Sequence, residues 1–213
     1  MNYTDAILEI NRNLMKDRAF DWYLTASPDE MRLQDKIDSF SDMFSDMIFQ
    51  KGSSTFDYVR CQSKVNGEWI DVTVPLPDQI EYFSYGYFTC HVEDLGDSAG
   101  RFNREDFSLT ISPKYIDDDS VILHEMIHLH EFVIDLQPQF FHDAIFFCLY
   151  KDLSKKIPDL DERIEAHGHI LNSSHIAKIG GTHDILFLLK SFDLDLRKGY
   201  KLGTVFGYGM VDE

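Results

Sequence analysis

Cysteine is scarce in this chain: Cys61, Cys90 and Cys148 are the only three in 213 residues. They are far apart, odd in number and without a Cys-x-x-Cys pair, which argues against a disulfide framework and against a cysteine-held zinc ribbon. Reduced, mostly buried thiols are expected instead. Positive charge is also short. Twenty Lys and Arg face 37 Asp and Glu, a formal net charge of −17 with neutral histidine. Such a surface repels phosphate backbones and anionic lipid, so no direct nucleic-acid partner is expected. No apolar run approaches the ~20 residues that span a bilayer; the longest, Ala144 to Tyr150, stops far short, and no membrane partner is expected. Proline and glycine are too dispersed to form a linker, and no repeat or low-complexity tract divides the chain. Met1-Asn2-Tyr3-Thr4-Asp5 has no basic region leading into an apolar core, so no secretory signal is expected. Together these absences point to a soluble, cytoplasmic protein.

What is present is the material of a core. Hydrophobic residues make up 44% and aromatics 14% of the chain, a globular composition, and the length suits a single domain over 1–213. Helical spacing of Ala6, Ile7, Ile10 and Leu14 predicts a helix over Asp5 to Phe20. A second is predicted from Pro28 to about Phe49, with Ser27 as N-cap and Pro28 in the first turn, so residues 1–50 read as a helical part. Asn66-Gly67 between two strand-like runs predicts a hairpin. Tyr82 to Val92 reads as a strand, followed by a turn over Asp94 to Gly100. Phe107 to Ser112 alternates apolar and polar residues, which predicts a strand with one buried face. After Pro113 the pattern turns helical: Ser120 to Leu136 behind the carboxylates of Asp117, Asp118 and Asp119, then Gln139 to Lys156 beyond Pro138, then Asp159 to His167. An apolar run, Ile185 to Leu196, and a glycine-rich tail close the chain. The fold class is α+β, strands first and the key helices after them.

Within the helix over Ser120 to Leu136 stands His124-Glu125-Met126-Ile127-His128. Residues four apart lie one above the other on a helix face, so both imidazoles can share one metal ion. Glu125 sits a step round the helix, placed to take a proton from a water that the ion activates. That division of roles is the chemistry of zinc hydrolases. A catalytic zinc needs a third protein ligand and one open position. Glu131 lies too far along a straight helix at 1.5 Å per residue, and His130 points elsewhere. His142 is the preferred third ligand, because Pro138 breaks the chain and His142 then falls in the first turn of the returning helix. His167, His169, His175, Asp159, Asp161 and Glu165 stand as rivals. For the oxyanion donor, Tyr150, His175, His183, Tyr200 and Tyr208 qualify by residue type. The strand over Phe107 to Ser112 reads equally as an edge for pairing with an extended peptide and as an ordinary sheet strand.

His124-Glu125-Met126-Ile127-His128, then Glu131-Phe132-Val133, then His142 followed by Phe146 and Phe147, resembles the SprT-like (Spartan-type) metalloprotease domain of the zincin superfamily. The resemblance covers about residues 80 to 157, including the stretch Ile111-Ser112-Pro113-Lys114-Tyr115 before the helix. It implies a zincin-like α+β fold, with a small, mostly antiparallel sheet packed on the active-site helix and a following antiparallel helix. It also implies Zn2+ on His124, His128 and His142, Glu125 as catalytic base, and a protein or peptide substrate. Asp143 stands where that family usually has Gly, and neither a cysteine ribbon nor a basic segment follows, so a DNA-linked role does not carry over. A zincin-fold regulatory or protein-binding module with little turnover is the alternative, against which an intact Glu125 speaks.

Overall fold

The computed structural model describes residues 21–45, 58–65, 68–75, 88–105, 107–135, 139–171 and 183–207, with backbone alone at 45, 58–65, 68–75, 133–135, 139–144 and 167–171. In chain order the elements are α1 (Pro28–Phe40), α2 (Asp42–Ser45), β1 (Tyr58–Val65), β2 (Glu68–Pro75), β3 (Thr89–Val92), β4 (Gly100–Asn103) and β5 (Ser108–Ile111). A 3-10 turn (Pro113–Tyr115) leads to α3 (Asp119–Asp135), α4 (Gln139–Lys156), α5 (Leu160–Leu171), α6 (Ile185–Lys198) and α7 (Thr204–Gly207). The class is α+β. The expected helix over Asp5 to Phe20 lies outside the described residues. Among the described residues no helix is long and apolar enough to cross a membrane. The described residues of Met1–Asp42 and Glu81–Leu129 form one compact unit, and those of Met43–Ile80 and His130–Glu213 another.

In the first unit, α1 starts as its sequence predicts. The Ser27 hydroxyl accepts from the Glu30 N–H at 3.3 Å, and the Ser27 N–H donates to the Glu30 carboxylate at 2.7 Å, a capping box with Pro28 in the first turn. The helix ends earlier than the expected Phe49. The Ser39 hydroxyl donates to the Lys36 carbonyl and the Ser41 hydroxyl to the Asp38 carbonyl, so serine side chains compete for the carbonyls that would continue the ladder. Leu33, Ile37 and Phe40 are buried, and beside them the Cys90 thiol donates to Gln34 Oε1 at 3.1 Å. Burial raises the Cys90 pKa well above its ordinary value, so it stays a thiol.

The sheet of this unit has the order β3-β5-β4. β3 runs parallel to β5 and β4 antiparallel to it, so the sheet is mixed rather than antiparallel throughout. Of the two readings of residues 107–112, the structure matches the ordinary sheet strand and not the peptide-binding edge. β5 is the central strand, paired on both sides, and all four of its residues are buried. Alternation reported one apolar face and could not report that the polar face is covered as well. β4 is the edge nearest in sequence to that expectation. Only its first residue falls in the turn predicted over Asp94 to Gly100, and no element is predicted for Arg101-Phe102-Asn103, which carries a single apolar residue.

The start of α3 matches its acidic prelude. Asp118 Oδ1 accepts from the Ser120 N–H at 2.9 Å and from the Ser120 hydroxyl at 2.7 Å, and Lys36 pairs with Asp119 at 3.1 Å. Val121, Ile122, Leu123, Met126, Ile127 and Leu129 are fully buried, so this segment is clamped on several sides.

In the second unit, β1 and β2 pair antiparallel from Tyr58↔Pro75 to Val65↔Glu68, the hairpin that Asn66-Gly67 predicts. α4 packs on β1 and on α6. α6 is capped by Asp184, which accepts from the Phe187 N–H at 2.9 Å, and ends at Gly199 in the left-handed region at φ 70°. Its inner face buries charge. Lys190 and Asp193 pair at 2.8 Å with side chains 1% exposed, and Arg197 reaches the other Asp193 oxygen at 3.1 Å. Lys190 Nζ also donates to the Met43 carbonyl at 2.6 Å and lies 4.9 Å from the Phe44 ring centroid. Removing one member of a buried pair strands the other. Lys190→Ala is therefore expected to lower the unfolding free energy by about 3–5 kcal/mol in urea titration, and a loss below about 1 kcal/mol would show the pair to be replaceable.

Candidate metal centre

Helix α3 carries His124 and His128 on one face. Their ring centroids stand 5.1 Å apart with planes inclined at 75°, as side chains one turn apart on a helix should. His124 is 2% exposed and His128 is partly exposed, so the pair opens outward at the His128 end. Burying the His124 imidazole is unfavourable unless its polar nitrogens are used.

Between them, Glu125 is 3% exposed. It lies against the edge strand: a β-carbon placed on Gly100 would fall 2.6 Å from Glu125 Cγ and 2.9 Å from its Oε1. The carboxylate is thus adjacent to β4 in the sheet and a step round the helix from the imidazoles.

His130 is a different kind of residue. It is buried, meets the edge of Phe44 at a centroid distance of 5.5 Å, and has its pKa driven well below the usual histidine value by burial and then by the Lys190 charge. It is a neutral core residue, in keeping with the expectation that it points away from the metal.

Two imidazoles on one face of a helix suit a borderline-soft divalent cation, which needs at least one further protein donor. His183 immediately precedes the Asp184 cap of α6, and its ring packs on Phe187 at 4.5 Å and Phe206 at 5.4 Å. Burial lowers its pKa and the Asp184 carboxylate partly opposes this, which favours the neutral imidazole.

The side chains of His142, His167, His169 and His175 lie outside the described residues, as does Tyr208. Among the rivals that are described, Asp159 pairs with Arg163 at 3.0 Å and Asp161 accepts from the Tyr150 hydroxyl at 2.7 Å. Those partners occupy both carboxylates and engage Tyr150. Compared with protein-family models, curated proteins and solved structures, the chain matches none.

Proposed function

We propose that the protein is a zinc-dependent peptidase, with His124 and His128 holding the metal and Glu125 acting as general base. The observation that carries this reading is the juxtaposition of two facing imidazoles with a buried carboxylate on the intervening turn, and His142 is the third ligand that the SprT-like resemblance implies. A purely structural site has no need of that carboxylate. Zinc bound there would supply a Lewis acid that lowers the pKa of a water toward ~7 and polarises a carbonyl.

The chain's own residues supply the rest. Glu125 takes the proton and can return it to the leaving amine. The outer edge of β4, which no other described strand pairs, supports recognition of extended polypeptide by strand addition. This relocates the substrate edge from β5 to β4 while keeping the substrate class that the SprT-like resemblance of residues 80–157 implies. The strong negative charge and the spans described fit a cytoplasmic protein that acts on polypeptide rather than on nucleic acid.

Zinc content of protein prepared without chelator, together with cleavage of unfolded casein, tests the reading. One equivalent of zinc and chelator-sensitive cleavage are expected. Metal without turnover would leave a binding module, and protein without metal would dissolve the site altogether.

A further inference from the structure

The geometry points to Gly100 as a positioning residue for Glu125: its missing side chain forms the seat that holds the carboxylate against the edge strand. This inference rests on the role of Glu125 proposed above, and its main test does not require turnover. Gly100 opens β4 and pairs with Ile111. A β-carbon there would meet Glu125 Cγ at 2.6 Å, Glu125 Oε1 at 2.9 Å and Ile111 Cδ1 at 2.9 Å, all inside the ~3.0 Å that real β-carbons keep. Gly100 is not among the residues with positive φ, so the backbone makes no demand for glycine there. Glycine within a strand is also unfavourable, by about 0.5–1 kcal/mol relative to Ala. What requires glycine at this point is the close approach of another group.

That group is mainly Glu125, whose side chain is almost wholly buried and cannot swing into solvent to make room. An alanine at 100 must displace the carboxylate, shift Ile111 or push β4 away. Catalytic groups need placement within about 0.5 Å of the productive geometry, so a displaced base loses activity although the histidines are untouched. The same contact fixes the base relative to the strand edge where a polypeptide would pair, which ties proton transfer to the register of the bound chain.

A double-mutant cycle tests the seat. Gly100→Ala should raise the unfolding equilibrium constant by about tenfold or more in the parent and by less than about threefold when Glu125→Ala has removed the obstructing atoms. Should the single variant fail to fold, the Gly100→Ala/Glu125→Ala pair should fold. In folded Gly100→Ala, bound zinc should match the parent, while kcat on casein falls at least about tenfold and the acidic limb of its pH profile moves. Equal penalties in both backgrounds, or failure of both to fold, would overturn the seat, as would loss of zinc from Gly100→Ala, since the residue would then act through the metal. A parent without zinc or turnover would sink the peptidase reading and leave the stability cycle to judge the contact by itself.

Discussion

Glu125→Gln is expected to lower kcat on unfolded protein by about 10²–10⁴-fold, the usual contribution of a positioned general base, while leaving bound zinc at one equivalent. The amide is close in shape to the carboxylate, so the burial that surrounds Glu125 and its fit beneath Gly100 are kept, and only the proton-accepting capacity disappears. KM should change little, because the interaction removed belongs to the transition state rather than to ground-state binding. Stopped assays on parent and variant, with metal quantified in the same samples, decide the matter. Equal cleavage by both proteins would take Glu125 out of the mechanism, and a variant that loses its metal would make the residue a structural support of the site.

The second large effect concerns the third ligand. A catalytic zinc held by two imidazoles lacks the three protein donors such sites use. His142→Ala is expected to weaken zinc binding beyond the ~10–100-fold typical of outer-shell partners and to abolish cleavage. His128→Ala serves as the reference for full loss. Competition with a chromophoric chelator reads both. A chain that keeps zinc and cleavage without His142 hands the third position to another donor.

His142 follows from local grammar: a proline break, a returning helix, a resemblance in spacing. α4 does begin at Gln139 beyond that break, so the grammar of the element is legible. The seat of Glu125 against Gly100 has no such grammar, because that contact comes from a distant stretch of chain. The same division runs through the sheet. The hairpin of β1 and β2 was readable because Asn-Gly dictates a local turn. β4 was not, since a short strand with one apolar residue is specified by its pairing to β5 and not by its own composition. The centrality of β5 was equally hidden, because alternation reports the chemistry of side chains and says nothing of which edges find partners.

By itself, the sequence determined the register of the motif: a helix with two histidines four residues apart must stack their rings on one face, and a glutamate next to the first must stand a step aside. Capping at Ser27 and the start of α3 behind Asp118 belong to the same class, since each is settled within a single turn of backbone. Only the tertiary structure decided that Glu125 lies against Gly100 and that β4 rather than β5 presents an open edge. The reason is that periodicity and capping are properties of neighbouring residues, whereas these contacts join segments remote in the chain and depend on how whole elements pack.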